Sequence, residues 1–151
     1  MIGRKRVKYG FVNSGVPHVV VEAGDLDAVD VQRVGAAIRY HRDFAPAGTN
    51  ANFVSITGPR SLRVRTYERG VEGETLACGT GIVASALISG VRGCVEPPVA
   101  VTCASGDVLE SGNFAVDDAA LHLVGILVEE AVAEDAERFR IGVQFLDDQV
   151  V

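Results

Sequence analysis

The segment Cys78-Gly79-Thr80-Gly81-Ile82-Val83-Ala84-Ser85-Ala86-Leu87-Ile88-Ser89-Gly90 organises the chain around it. From Ile82 to Ser89 it is apolar or small on nearly every side. A helix apolar all round is a buried helix, not a surface one. Gly90 and Gly93 are expected to end it. A single buried helix needs a shell, and the flanking sequence reads as strands.

Arg6 to Glu22 alternates at Val7, Tyr9 and Phe11, then runs apolar at Val19-Val20-Val21. Two strands are expected there, broken by the turn-forming Asn13-Ser14-Gly15-Val16-Pro17. Asp25 or Asp27 can cap a helix carrying Val31, Val34 and Ile38 at i, i+3, i+7 spacing. Phe44 to Asn52 reads as a loop. Phe53 to Ile56 and Leu62 to Glu68 read as strands joined by Thr57-Gly58-Pro59. Arg69 to Thr75 holds too many breakers and caps for a regular element. Beyond the buried helix, Val99 to Cys103 and Val108-Leu109 are strands around a Ser105-Gly106-Asp107 turn. Leu121 to Val128 reads as another strand, Glu129 to Arg140 as a helix and Ile141 to Phe145 as a final strand. The picture is a strand-rich shell wrapped around one buried helix, with a second helix outside.

Composition bounds the class. The chain has 151 residues, 48% hydrophobic and 23% charged, with 14 Lys+Arg against 20 Asp+Glu and a net charge of −6. A domain of that length buries roughly 68–70% of the surface its unfolded chain exposes. No apolar run approaches the ~20 residues of a membrane-spanning helix. The acidic balance argues against general nucleic-acid binding, which rests on neutralising phosphates. The basic opening, with Arg4, Lys5, Arg6 and Lys8, reads as a solvated edge or tail, and no signal-peptide core follows it. A single cytoplasmic domain is expected. Cys78, Cys94 and Cys103 are odd in number and lack CxxC spacing, so they suggest neither a disulfide framework nor a structural zinc site, and no metal is expected. Cys94 and Cys103 read as strand or strand-edge residues.

Only Cys78 has suggestive surroundings. It stands at the mouth of the buried helix, where unpaired N–H groups and the positive end of the macrodipole favour a thiolate over a thiol. The glycines beside it let a small anion reach those N–H groups. The plain alternative is a small buried apolar residue. Glu68, Arg69 and Glu74 lie just upstream, and an arginine can pair with a ligand carboxylate while a glutamate holds an amino group or tunes the thiol.

Taken together, Arg65-Thr66-Tyr67-Glu68-Arg69-Gly70-Val71-Glu72-Gly73-Glu74-Thr75-Leu76-Ala77-Cys78-Gly79-Thr80-Gly81 resembles the signature around the second catalytic cysteine of the diaminopimelate epimerase family. Asn13-Ser14-Gly15-Val16-Pro17-His18 is similar to the family's N-T-G-x-P-H turn. Phe44-Ala45-Pro46-Ala47-Gly48-Thr49-Asn50-Ala51-Asn52-Phe53 is similar to its F-x-P-x-G-T-N-x-N-F loop. The three motifs occur in the family's order.

The resemblance implies an α+β fold, with antiparallel and mixed strands around one buried central helix. It implies a cofactor-independent isomerase of lysine and cell-wall precursor synthesis that interconverts LL- and meso-diaminopimelate. In that family two cysteines flank the substrate's α-carbon. One removes the α-proton as thiolate and the other donates a proton from the opposite face. By motif position Cys78 is one of these acid/bases. His18 and Glu68 match positions that polarise the catalytic groups, and Asn50, Glu68, Arg69, Gly79 and Thr80 match substrate-contacting positions. The alternatives are a related thiol-dependent racemase of another amino acid, or an inactive half-domain that binds a ligand or a partner.

Three departures stand out. Val16 occupies a place where some members carry a substrate-contacting asparagine, and His18, taken alone, reads as a packed or capping histidine. The family's first half, with its C-G-N-G cysteine, has no counterpart. The resemblance is clear over about residues 7–110. From Ser111 to Val151 the chain diverges, and its acidic segment Glu129 to Val151 has no assigned role. The whole reads as one domain, 1–151, like the C-terminal lobe of the family. A homodimer, or a separately supplied N-terminal lobe, would provide the second thiol.

Overall fold

A computed structural model describes residues 7–13, 16–111 and 141–146, with side chains for 9–13 and 16–111. Their elements run β1 (Val7–Asn13), β2 (Pro17–Glu22), α1 (Val31–Arg39), a 3-10 turn (Arg42–Phe44), β3 (Asn50–Gly58), β4 (Ser61–Glu68), β5 (Gly73–Thr75), α2 (Gly79–Val91), β6 (Val99–Thr102), β7 (Val108–Ser111) and β8 (Ile141–Leu146). The strands form one mixed sheet in the order β7-β6-β4-β3-β2-β1-β8, with β5 also paired to β4. β2–β3 and β4–β6 are parallel, and the remaining pairs are antiparallel. The fold is α+β, as expected.

Strand alternation sorts the side chains onto two faces. Val12, Val20, Val54, Leu62 and Val64 pack with Ile82, Ala84, Ala86 and Ile88 of α2. Tyr9, Val19, Val21, Ala51, Phe53 and Tyr67 pack on the other face with Val31 and Ile38 of α1. The central helix approaches the sheet closely: a Cβ on Gly10 of β1 would stand 2.3 Å from Ile88 Cγ2. α2 is buried along most of its length, while Val83 is 48% exposed. Among the described residues, no helix is long and apolar enough to cross a membrane.

Several local expectations need correction. The cap of α1 is Asp30, whose carboxylate accepts from Arg33 N–H at 3.0 Å, and not Asp25 or Asp27. Asp25 instead accepts from Asp27 and Ala28 N–H in the preceding turn, and Asp27 pairs with Arg63 at 2.8 Å. β3 begins at Asn50, because parallel pairing of His18 with Asn50 gives that backbone a ladder partner. Gly73–Thr75 is a short strand held against Thr66–Glu68, although the surrounding turns are irregular. Cys94 lies in the bend after α2, its N–H donating to Ser89 C=O, and so is not a strand residue. The expected strand Leu121–Val128 and helix Glu129–Arg140 lie outside the described residues. The final strand is present as β8, antiparallel to β1.

Candidate active site

One end of the sheet gathers the residues singled out by sequence. β2 and β3 run parallel and both start there, so Pro17-His18 and Asn50 stand side by side. β4 runs antiparallel to β3 and ends there at Glu68, one residue beyond the Ala51–Tyr67 pair. α2 starts at the same end. Cys78 is its N-cap, in extended conformation with φ −139° and ψ 110°. The N–H groups of Gly79, Thr80 and Gly81 precede the first intrahelical bond, from Ile82 N–H to Cys78 C=O at 2.9 Å. They form the unpaired positive end of a buried helix, which suits a carboxylate.

His18 is fully buried beneath this end. Its Nε2 lies 2.9 Å from Thr80 Oγ1, and Thr80 Oγ1 lies 3.6 Å from Cys78 Sγ. Burial first, and the charge of Arg69 second, pull the His18 pKa down from 6.5 to about 4, so the ring is neutral at pH 7. His18, Thr80 and Cys78 therefore form one contiguous group, 62 residues apart in sequence at its ends but adjacent in space.

Asn50 is 2% exposed and bridges two strands. Its Nδ2 donates to Pro17 C=O at 3.1 Å, and its Oδ1 accepts from Arg69 N–H at 2.7 Å. The side chain fixes the turn after β4 while keeping one N–H for another acceptor. The Arg69 guanidinium donates to Ala47 C=O at 3.1 Å and has no carboxylate partner among the described residues. The Glu68 side chain falls on the same face as Thr66 by alternation, and its carboxylate has no ion-pair partner among the described residues. An unpaired anion and an unpaired cation at adjacent positions match the two ends of an amino-acid head group.

Two further residues build the site, and sequence reading did not single them out. Asn52, wholly buried, donates from Nδ2 to His18 Nδ1 at 3.0 Å and to Val19 C=O at 3.1 Å. Its position two residues after Asn50 in β3 is the available signal, since that spacing puts both amides on one face. Glu72, at φ +58°, accepts from Gly70 N–H at 3.0 Å, Arg39 Nε at 3.1 Å, Tyr40 Oη at 2.9 Å and Tyr67 Oη at 3.3 Å. The Gly70 N–H bond is the main cause of a carboxyl pKa lowered to about 2. Val71 and Glu72 N–H both donate to Glu68 C=O, so this clamp ties the Glu68–Arg69 turn to α1. Gly48 has φ +72° and a Cβ there would lie 2.6 Å from the Arg39 backbone oxygen, so glycine is required in the loop that Arg39 and Arg69 both contact.

Glu74 does not reach the thiol. Its carboxylate takes two bonds from Arg65, at 2.7 and 2.8 Å, on the α1 side of the sheet. The two remaining cysteines differ in their relation to Cys78, whose charge is among those that act on Cys103. Cys103 is buried, and burial foremost pushes its thiol pKa up. Cys94 follows the far end of the 13-residue α2, about 20 Å away at 1.5 Å per residue. Among the described residues, no group of three or more His, Cys, Asp and Glu side chains could hold a metal ion.

The diaminopimelate epimerase family profile matches residues 10–120. The chain is 53% identical over 100 residues to the diaminopimelate epimerase of Aquifex aeolicus, covering 66% of this chain and 36% of that protein. It is 66% identical over 76 residues to that of a Hydrogenobaculum species, covering 49% and 27%. Against that of Methanocella arvoryzae it is 50% identical over 97 residues, covering 64% and 34%. The chain thus spans about a third of the length of the curated relatives it matches. Two solved structures of phenazine biosynthesis proteins of the PhzF family share the fold. The Enterococcus faecalis protein has a TM-score of 0.56 at 19% identity, over 73% of this chain and 41% of that one. The Bacillus anthracis protein has 0.52 at 21%, over 70% and 35%. The matched sequence holds the helix mouth, the buried histidine and the Glu68–Arg69 turn alike, and the chain belongs to the diaminopimelate epimerase family.

Proposed function

We propose that this chain provides one face of a two-thiol epimerase site that interconverts LL- and meso-diaminopimelate. The observation that carries this reading is Cys78 at the open mouth of a buried helix, with Thr80 between its sulfur and the neutral His18. The substrate α-carboxylate sits on the N–H groups of Gly79 and Thr80. Arg69 and Glu68 take the charged groups beside it, and Asn50 keeps one N–H for the substrate. The Cys78 thiolate removes the α-proton: the Cα–H bond breaks and an S–H bond forms. The carbanion charge spreads into the carboxylate, where the helix N-terminus stabilises it. A second thiol then donates its proton to the opposite face.

Cys94 and Cys103 are unsuited to that second role, so the opposing thiol belongs to another lobe or another copy of the chain. Leu76 and Val83, 69% and 48% exposed and close to Cys78 in sequence, support a covering surface on this side. Incorporation of solvent deuterium at the α-carbon of LL-diaminopimelate tests the reading. Exchange is expected to fall at least 100-fold in Cys78→Ser. Unchanged exchange in that variant would remove Cys78 from the mechanism. Absence of exchange by a chain that sediments as a monomer would assign the second thiol to a separate lobe.

A further inference from the structure

We propose that Asn52 is a positioning residue for the Cys78 thiol: it holds His18 as the Nε2–H tautomer and thereby commits the Thr80 hydroxyl proton to Cys78 Sγ. The proposal deepens the reading of Cys78 as an acid/base and rests on it.

The polarity of the chain starts at the main chain. Val19 C=O can only accept, so the group 3.1 Å from it must be the amide nitrogen of Asn52. The opposite amide orientation would set two oxygens against each other in a site where Asn52 and His18 are both fully buried. Asn52 Oδ1 is then directed at Thr66 Oγ1, which donates to it at 3.0 Å. Thr66, itself 4% exposed, secures the amide from its other side.

The second hydrogen of Asn52 Nδ2 points at His18 Nδ1, 3.0 Å away. That nitrogen must present its lone pair. A neutral imidazole whose Nδ1 accepts carries its proton on Nε2. An imidazolium would set N–H against N–H, so the same contact opposes protonation of the ring. Nε2–H therefore donates to Thr80 Oγ1 at 2.9 Å. With that lone pair occupied, the hydroxyl hydrogen of Thr80 is free to point at Cys78 Sγ, 3.6 Å away. Every donor from Thr66 to Thr80 is directed one way, and the series ends on the sulfur. A charge-assisted donor favours the thiolate, the form that removes a proton.

The inner part of the series is enclosed, with Thr66, Asn52 and His18 all buried, while Thr80 and Cys78 open onto the mouth of the site. Gly81 completes the enclosure, because a Cβ there would lie 2.5 Å from Asn52 Oδ1 and 3.4 Å from Cys78 Sγ. Asn52 touches neither substrate nor sulfur and acts only through His18.

Imidazole nitrogen–proton correlation spectra of the full chain read the tautomer directly. His18 is expected as Nε2–H and non-titrating from pH 9 down to pH 5.5. An Nδ1–H ring, or an imidazolium at pH 7, would overturn the proposal without any variant being made. In Asn52→Asp the carboxylate accepts where the amide donated, so Nδ1 is expected to carry a proton; an unprotonated Nδ1 in the folded variant would count against it. Alkylation of Cys78 by iodoacetamide at pH 7, located by peptide mass, reads the far end. Thr80→Val should slow it roughly three- to tenfold and Thr80→Ser should restore it, the scale of one hydrogen bond. Equal rates in the two variants would sink the link from Thr80 to sulfur. Protection of Cys78 from alkylation by LL-diaminopimelate reports the underlying site reading separately. Loss of protection with the tautomer intact would fail that reading alone.

Discussion

Gly81 of α2 and Asn52 of β3 approach so closely that no side chain fits between them: a Cβ at position 81 would lie 2.5 Å from Asn52 Oδ1. The contact sits where the helix mouth meets the buried amide that holds His18, so helix packing and site polarity depend on the same few atoms.

Gly81→Ala is therefore expected to destabilise the protein despite alanine's better helix propensity. Propensity favours the change by about 1 kcal/mol, whereas overpacking a close-packed core costs about 1–3 kcal/mol. A net loss of about 1 kcal/mol in urea unfolding checks this. A stabilised variant would show that the Asn52 side chain yields easily.

His18 links stability to pH. Its pKa is about 4 in the fold, lowered chiefly by burial, against 6.5 for an ordinary histidine. Between those values the unfolded chain binds the extra proton, so stability rises with pH. The contribution is complete above pH 6.5, is lost as pH falls toward 4, and is on the order of 3 kcal/mol over that span. Unfolding free energy measured from pH 7.5 to 4 should fall less steeply in His18→Asn than in the unaltered chain. Parallel slopes would refute the assignment.

Glu72 acts at lower pH. Its carboxyl pKa is held near 2, against 4.5 ordinarily, first by Gly70 N–H and then by Tyr40 and Arg39. Its contribution is present above pH 4.5 and is lost as pH falls from there through 2. Thermal midpoints followed from pH 5 to 2 should fall more shallowly in Glu72→Gln. The same variant releases the turn that carries Glu68 and Arg69, so KM for substrate is expected to rise more than kcat falls.

Arg65 and Glu74 form a two-bond pair, and Arg65 Nη1 also donates to Leu26 and Val29 C=O at 2.9 and 3.0 Å. One planar guanidinium thus ties β4, β5 and the segment before α1 together. Lysine cannot reproduce that fork. Arg65→Lys is expected to cost about 2 kcal/mol in chemical unfolding, on the scale of charged hydrogen bonds. A cost below 0.5 kcal/mol would show that water takes over these contacts.

How much was legible follows from what each feature depends on. The buried α2 and β2 could be read from their apolar runs and β1 from alternation, because these patterns are local. The cap of α1 was misplaced by a few residues because Asp25, Asp27 and Asp30 are chemically alike in sequence. Only Arg63, reaching Asp27 from β4, removes one of them from the choice. Glu74 looked available for the thiol until the β4–β5 register turned it toward Arg65.

The order of motifs from Asn13 to Gly81 was enough, by itself, to determine the family and to nominate Cys78, His18 and Glu68, because side-chain chemistry and glycine punctuation are written in one dimension. Sequence could not decide which of these groups touch, or in what sense their hydrogen bonds run. His18 lies 62 residues from Thr80 and 34 from Asn52, and only the parallel pairing of β2 with β3, over the mouth of α2, brings them within 3.0 Å. The direction of each bond was decided by one buried carbonyl, Val19 C=O, which accepts and cannot donate.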